Sequence, residues 1–225
     1  MPTAPSHSFI FVHIPKSGGT SVIGALRNAG VNFELDGRGI WERLGKHPRG
    51  AHLIRRLRAI YPINTIAGFW ENHLPAELVR EFTPGTTWDD AFKFAFVRNP
   101  WDLVVSTFFY IDKERASLDA SEADFADVMG RCDFQQFVRE YPLLFSDMSA
   151  MIGDETGRDI IDFVGRFERL EEDFAYVCRR IGIDAQLPHL NPSRHAHYRE
   201  YYDAETREIV ERHFARDIQR FGYAF

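Results

Sequence analysis

The residues FIFVHI (9–14), PKSGG (15–19) and TSVIGALRN (20–28) decide the fold of this chain. The first run is short and apolar, which is typical of a buried parallel strand. The third has apolar residues at helical spacing, and Gly30 lies just past its end. A strand therefore enters a turn with two glycines and continues as a helix, an arrangement found in α/β proteins.

The same alternation continues through the rest of the chain. Further apolar runs predict strands at residues 63–67, 92–97 and 160–167. Periodicity predicts helices at residues 75–82, 101–113, 134–141, 168–181 and 203–220. Strands that alternate with helices form a central parallel sheet with crossover helices on both faces. Because the chain has 225 residues, we expect one α/β domain spanning residues 1–225.

Composition excludes several classes of protein. Hydrophobic residues make up 44% of the chain and charged residues 27%, a globular profile that a disordered or collagen-like chain does not have. The net charge of −6 argues against nucleic acid as a partner, because nucleic-acid binders present a basic surface. No apolar run approaches the roughly 18 residues that span a membrane.

Cysteine usage and the N-terminal residues bear on the compartment. Cys132 and Cys178 are too few for a disulfide framework or a zinc site, and Cys178 lies on an apolar helix face, where we expect a core thiol. A reducing compartment fits this usage best. Since the first residues also lack the features of a signal peptide, we expect a cytoplasmic protein.

The glycine-rich turn after the first strand has the chemistry of an anion site. Glycines allow backbone N–H groups to close around a phosphate, and the N-terminus of the following helix favours negative charge. Lys16, one of only four lysines beside 23 arginines, adds a cationic group. The spacing is not that of a Walker A loop, because the lysine precedes the glycines. The other candidate ligands are Ser17, Gly18, Gly19, Thr20 and Ser21.

A second candidate anion site follows the strand at residues 92–97, in the run Arg98-Asn-Pro-Trp-Asp102. The guanidinium of Arg98 and the hydroxyl of Ser106, eight residues later, suit a second phosphate; alternatively Arg98 pairs with Asp102. A magnesium nucleotide site requires an Asp near a strand end, whereas this strand ends in Arg. Asp162, beside the last predicted strand, keeps a kinase open as an alternative.

These motifs resemble those of sulfotransferases that use 3′-phosphoadenosine 5′-phosphosulfate (PAPS). The run from His13 to Ser21 is similar to their 5′-phosphosulfate loop, and Phe96 to Asp102 with Ser106 is similar to their 3′-phosphate segment. Residues 164–174 and several short C-terminal motifs resemble the carbohydrate branch called sulfotransferase family 2. Within sulfotransferase family 2, the resemblance indicates a bacterial member of the heparan sulfate 2-O-sulfotransferase-like branch.

The resemblance implies a P-loop-like three-layer fold, PAPS as donor and no metal. Lys16 matches the lysine that contacts the oxygen bridging phosphate and sulfate, and Arg98 with Ser106 matches the pair that binds the 3′-phosphate. Arg194 lies in a segment that resembles the loop folding over the nucleotide. The expected reaction is in-line transfer of the sulfuryl group to an acceptor hydroxyl on a glycan or glycolipid.

A general base is expected after the second predicted strand. His73 is the first candidate and Glu71 the second, since the family places a His or Glu in this region and neutral imidazole accepts a proton at pH 7. His189, His195 and His197 lack partners at metal-binding spacing, so we expect no metal there. Residues 114–133 are polar and acidic, and whether they close over the site as a lid is left open.

Two other functions share parts of this pattern. A kinase would use the same anion loop together with magnesium. A non-catalytic nucleotide-binding module would keep Lys16 and Arg98 but would not depend on His73. The basic residues between Arg38 and Arg58 suit either a local groove for an anionic acceptor or a solvated helix surface.

Overall fold

A computed structural model of the chain describes residues 8–31, 40–60, 73–114, 132–141, 147–188 and 195–225. The strand expected at residues 63–67, Glu71, Arg194 and nearly all of the segment 114–133 lie outside the described residues. Among the described helices, none is long and apolar enough to cross a bilayer.

The predicted elements that fall among the described residues occur in the predicted order, and four further helices, at residues 40–46, 50–60, 85–90 and 148–152, were not predicted. The strands are β1 (Phe9–Val12), β2 (Phe92–Val97) and β3 (Phe163–Arg166). The helices before β2 are α1 (Gly19–Asn28), α2 (Ile40–Lys46), α3 (Gly50–Ile60), α4 (Ala76–Phe82) and α5 (Gly85–Asp90). Between β2 and β3 lie α6 (Pro100–Glu114), α7 (Phe134–Glu140) and α8 (Met148–Ile152). After β3 come α9 (Leu170–Ile181), α10 (Ala204–His213) and α11 (Ala215–Phe221).

The three described strands form one parallel sheet in the order β1-β2-β3. Phe9 pairs with Phe92 and Phe94 with Phe163, so all three strands end at the same edge of the sheet. The turn at residues 15–18 and Arg98 follow β1 and β2 directly and therefore meet at this edge, where α/β proteins bind ligands.

Two apolar layers cover the sheet, one on each face. Side chains alternate along β2, so Phe94 and Phe96 face the layer with α1 and α9, and Ala95 and Val97 face the layer with α6 to α8 and α10. The expected α/β fold with helices on both faces of a parallel sheet is confirmed. Cys178 lies in the α1–α9 layer as a buried thiol, as expected.

Some predicted boundaries were wrong. β3 begins at Phe163 rather than at residue 160, and a short 3-10 turn over Phe167–Arg169 precedes α9. The predicted helix over residues 203–220 is two helices that meet at Phe214, although Asp203 caps the first one as expected. Phe214 is neither Pro nor Gly; it is a buried aromatic residue whose place in the core the local sequence pattern does not show.

Candidate functional site

The turn between β1 and α1 has a backbone that favours contact with an anion. Lys16 has a φ of 59°, and Gly18 has a φ of 85° and is the N-cap of α1. A left-handed φ at a lysine is unfavourable, and such strain is concentrated at functional positions. The chain turns so tightly that Ser17 is buried, with its Oγ 3.4 Å from the carbonyl oxygen of Pro15.

The N-terminus of α1 supplies backbone donors at this turn. The N–H groups of Ser21 and Val22 donate to the carbonyl of Gly18, while those of Gly19 and Thr20 have no acceptor within the helix. The first turn of α1 contains no acidic residue. Partial positive charge therefore accumulates where β1 ends, which is the setting of a phosphate or sulfate site.

Gly19 is required by its neighbour His13. A Cβ at position 19 would lie 1.9 Å from Nε2 of the His13 imidazole, so no larger residue fits there while His13 keeps its place. The His13 ring in turn lies 4.1 Å from the ring of His73, measured between centroids. The absence of a side chain at Gly19 thus makes room for the His13 ring, which lies against the ring of His73.

Arg98 ties the two predicted anion segments together. Its Nη1 donates to the carbonyl of Lys16 at 2.8 Å, and its Nε donates to Asp102 Oδ2 at 2.8 Å. The guanidinium is buried and lies over the ring of Phe167, 4.0 Å from the centroid. The pairing with Asp102 that the sequence left open is therefore present. Arg98 also reaches the loop that carries Lys16.

One face of α6 carries the side chains that border this site. Asp102, Ser106 and Tyr110 are spaced four residues apart and so lie one above the other. Asp102 binds Arg98, and the Tyr110 ring lies 3.8 Å from Nζ of Lys16. Ser106, which is half-buried, is between them on the helix. Arg98, Ser106 and Lys16 thus border the same helix face.

The start of α6 is fixed by Asn99. Its Oδ1 accepts from the N–H of Trp101, and its Nδ2 donates to the carbonyl of Ala224 at 3.1 Å. Glu168 accepts from the N–H of Asn99, and Tyr202 donates to the carbonyl of Trp101. Contacts from the 3-10 turn before α9 and from the C-terminal segment therefore hold the Arg98 segment in place.

His73 lies at the same edge of the sheet, just before α4. Its Nδ1 is 3.0 Å from the carbonyl oxygen of His13, and because a carbonyl only accepts, the proton of the neutral ring is on Nδ1. Nε2 then carries the lone pair. Burial lowers the pKa of His73 to about 4, the hydrogen bond to His13 opposes this, and the charge of Lys16 lowers it further. The imidazole is neutral at pH 7.

Asp162 lies at the opposite edge of the sheet. It immediately precedes β3, its Oδ2 accepts from the N–H of Lys93, and it pairs with Lys93 Nζ at 3.0 Å. A carboxylate at the amino end of the strands does not reach a phosphate held at their carboxyl end. Asp162 is therefore not placed to hold a metal ion beside the anion loop.

A different cluster has ligand atoms close enough to hold a metal ion. The nearest atoms of His52, Glu77 and Glu155 lie within 4.8 Å of one another. The guanidinium of Arg49 lies among them, 3.5 Å from Glu155 and 3.9 Å from Glu77, and 3.0 Å from Glu81. A cation of the protein itself therefore already lies against these carboxylates. No motif in the sequence indicates this set of residues, because they come from three separate segments.

Asp217 is a buried carboxylate that lies against the first turn of α8. Asp217 accepts from the N–H groups of Met148 and Ser149 at 2.9 and 2.8 Å, and from Ser149 Oγ. Burial raises the pKa of Asp217 to about 7, with a contribution from the nearby charge of Asp147. This carboxylate stabilises the packing of α11 against α8 and lies outside the predicted anion site.

The structure brings together most of the predicted site residues that it describes. Lys16, Arg98 and His73 meet at one edge of the sheet, with Ser106 on the adjoining face of α6. Of the hydroxyl residues of the loop, Thr20 is exposed, Ser21 is half-buried and Ser17 is buried. The contributions of Tyr110 and Phe167 were missed, because an aromatic residue next to a cation in space has no signature in the sequence.

Comparison with known proteins places the chain in a family. The model of the sulfotransferase family matches residues 1–224, so the chain belongs to that family. A protein of Archaeoglobus fulgidus described as uncharacterized is 28% identical over 120 residues, which are 51% of this chain and 87% of that protein. The chain is therefore a member of an enzyme family that transfers sulfate.

Proposed function

We propose that the protein transfers a sulfuryl group from PAPS to a hydroxyl on a glycan or glycolipid. The observation that carries the proposal is the hydrogen bond from Arg98 to the carbonyl of Lys16, at 2.8 Å. It joins the loop suited to one phosphate to the arginine suited to another. A donor with phosphates at both its 5′ and 3′ positions matches two such neighbouring sites.

The described residues fit this donor. The N–H groups of Gly19 and Thr20 lie in the first turn of α1, which contains no carboxylate. Arg98 has five N–H donors, of which Asp102 and the Lys16 carbonyl use two. Ser106 supports the 3′-phosphate role because it lies one turn after Asp102 on the same helix face.

Lys16 stabilises the charge that develops when the sulfuryl group leaves. As in phosphoryl transfer, catalysis depends chiefly on positioning and on neutralising charge on the leaving oxygen. The Lys16 ammonium and the backbone N–H groups after it do this without a metal ion. We assign Lys16 to the oxygen that bridges phosphate and sulfate.

His73 takes the proton of the acceptor hydroxyl on Nε2. A new bond forms between the acceptor oxygen and sulfur while the bond from sulfur to the bridging oxygen breaks, so 3′-phosphoadenosine 5′-phosphate leaves. The hydrogen bond to the His13 carbonyl keeps Nδ1 protonated and so directs Nε2 to the reaction. Glu71 remains the alternative base, and it lies outside the described residues.

The acceptor is proposed to be a hydroxylated sugar rather than a long polyanion. Arg49, from the basic stretch that would line a groove for such a chain, is paired with Glu81 and lies near Glu77 and Glu155. The net charge of −6 also disfavours a polyanion. A glycan hydroxyl follows mainly from the resemblance to the carbohydrate branch.

A kinase is the less favoured alternative. Such an enzyme places a carboxylate where magnesium bridges the phosphates. At the carboxyl edge, Asp102 is paired with Arg98 at 2.8 Å, and Asp162 is at the other edge. These positions favour a donor whose charge is neutralised by protein cations.

The experiment that tests the proposal is a transfer assay with PAPS labelled on sulfur. Purified protein, treated with a chelator, is incubated with glycans and glycolipids, and label in each acceptor is counted. We expect transfer by wild type and no transfer by His73→Gln. Transfer of phosphate from labelled Mg-ATP, with none from PAPS, would overturn the proposal.

The result for His73→Gln tests the identity of the general base separately from the reaction class. Retained transfer by a folded His73→Gln protein would remove His73 from the role and favour Glu71, while leaving the reaction class intact. Affinity for 3′-phosphoadenosine 5′-phosphate serves as the control, since it should change at most a few-fold in His73→Gln. A non-catalytic binding module would bind this nucleotide and give no transfer with any acceptor.

A further inference from the structure

The ammonium of Lys16 lies against an aromatic ring. Nζ is 3.8 Å from the centroid of the Tyr110 ring, well within the distance of a cation–π interaction. Tyr110 is 37% exposed, and among the described residues only it and Tyr176 are exposed large hydrophobic side chains. Packing of the core does not account for a tyrosine at this place.

The ring is held on a rigid support. Tyr110 is on α6, two turns after Asp102, whose carboxylate is fixed by Arg98 at 2.8 Å. Arg98 also binds the carbonyl of Lys16 at 2.8 Å. The backbone and the side-chain end of Lys16 are therefore both held by the segment 98–110, the first by a hydrogen bond and the second by the ring.

An aromatic ring has an advantage over a carboxylate as the partner of this lysine. A lysine side chain has four rotatable bonds and loses considerable entropy when it is fixed. A carboxylate would fix it but would also cancel its charge and repel the phosphates of a donor. A ring attracts the ammonium through its quadrupole and leaves the full positive charge available to an incoming anion.

We propose that Tyr110 is a positioning residue that restricts the Lys16 ammonium to the anion loop before the donor binds. The proposal rests on the role of Lys16 in the proposed function. Removal of the ring lowers kcat about two- to five-fold, the change that an exposed cation–π contact supports. Phenylalanine keeps the ring and therefore restores the rate.

The contact is measured by NMR of protein labelled at the lysine Cε carbons. The chain has four lysines, so the spectrum is simple, and loss of one signal in Lys16→Arg assigns Lys16. We expect the Lys16 Hε signal of wild type to be shifted upfield by the ring current. The shift should remain in Tyr110→Phe and disappear in Tyr110→Leu. Tyr176→Leu is the matched control, because Tyr176 is 39% exposed and packs against Phe163, which is at the opposite edge of the sheet.

Transfer by the same variants measures the role of the contact. We expect kcat of Tyr110→Leu to fall two- to five-fold with a smaller change in KM for the donor, and Tyr110→Phe and Tyr176→Leu to match wild type. An unchanged Lys16 shift in Tyr110→Leu, or a lost shift with wild-type kcat, would overturn the proposal. If wild type transfers no sulfate, the proposed function fails and the positioning role with it, while the spectrum still decides whether the contact exists.

Discussion

The two ends of β2 each carry a buried cation, and the two cations differ in how many of their donors are used. Lys93, near the start of the strand, donates to the carbonyls of Ala91 and Trp88 and pairs with Asp162 at 3.0 Å. Its three N–H donors meet three acceptors. Arg98, just after the end of the strand, brings five donors to two described acceptors.

From this difference we propose a structural role for Lys93 and a binding role for Arg98. Lys93 is satisfied by the protein and stabilises the amino end of the sheet. Arg98 is anchored by two of its donors and has further donors at the carboxyl edge, where β1 delivers Lys16. Burial and charge are similar at the two ends, so the proposed roles rest on the balance of hydrogen-bond donors and acceptors.

Replacing the lysine at each edge should give opposite results. Lys16→Met is expected to lower kcat about 10²- to 10³-fold with little loss of stability, because it removes the ammonium group that neutralises negative charge on the leaving oxygen. Lys93→Met is expected to lower the free energy of unfolding by about 1–3 kcal/mol, since two carbonyls and Asp162 lose their partner. Steady-state kinetics and urea unfolding of both variants measure this. A folded Lys93→Met protein as inactive as Lys16→Met would remove the distinction.

The glycines of α1 allow a sharper test of the edge that carries Lys16 and Arg98. In Gly19→Ala the new Cβ would lie 1.9 Å from the His13 ring, so the loop or His13 must move. We expect a loss of about 1–3 kcal/mol of stability and weak binding of 3′-phosphoadenosine 5′-phosphate. Gly24→Ala, in the same helix, meets Pro188 Cγ at an ordinary 3.9 Å and should gain up to about 1 kcal/mol. Equal donor affinity of the two variants would show that the turn tolerates a side chain at Gly19.

The pH dependence of transfer tests the base. The pKa of His73 is lowered to about 4, so the neutral form that accepts a proton persists well below pH 6. The plot of kcat/KM against pH, which reports the free enzyme, should stay level from pH 8 to about 5 and fall near 4. The acid inflection of kcat should lie at a higher pH than that of kcat/KM. The bound donor is negatively charged and offsets the effect of Lys16 on the pKa of His73. An inflection of kcat/KM near 6.5 would contradict the buried position of His73.

Stability follows the same shift with a defined sign. Between about pH 6.5 and 4 the unfolded chain binds a proton at His73 that the folded protein does not, so folding loses stability as pH falls through this range. The loss attributable to His73 is at most roughly 3 kcal/mol and should be absent in His73→Gln. Asp217 acts in the opposite direction, because its raised pKa costs stability as pH rises from about 4 to 7. Comparison of the variant with wild type isolates His73.

The smallest effect is expected from a single hydroxyl of α6. Ser106→Ala should weaken binding of 3′-phosphoadenosine 5′-phosphate about three- to ten-fold, the value of one ordinary hydrogen bond. Thr107→Ala is the control: the Thr107 hydroxyl donates to the carbonyl of Leu103 at 2.8 Å, within the helix. Calorimetry of both variants distinguishes them, and an equal loss of affinity would place Ser106 outside the binding site.

The sequence alone predicted that Lys16 and Arg98 follow two parallel strands and meet at one edge of the sheet, because these features are local. An apolar run followed by glycines shows a strand and a turn, and Arg98 follows its strand directly. The partners of these residues could not be predicted. The neighbour of Gly19 is His13, and the partner of Lys16 is Tyr110, 94 positions further on. Such pairs depend on the packing of the layers, which periodicity does not encode.

At the amino end of the sheet, the position of Asp162 could not be predicted from the sequence either. Asp162 was a possible metal ligand when only its closeness to a strand was known. The parallel register puts it at the end opposite the loop and beside Lys93. The kink at Phe214, which joins α10 to α11, likewise has no Pro or Gly to announce it.

The most direct test of the account is calorimetric titration with 3′-phosphoadenosine 5′-phosphate in the presence of a chelator, and separately with Mg-ATP. Wild type and Lys93→Met should both bind the bisphosphate tightly without metal, and Arg98→Met should bind it about 10- to 100-fold more weakly. The folded state of each variant is checked by its melting temperature. Preference for Mg-ATP, or an affinity that falls as much in Lys93→Met as in Arg98→Met, would contradict the assignment of the two ends of β2.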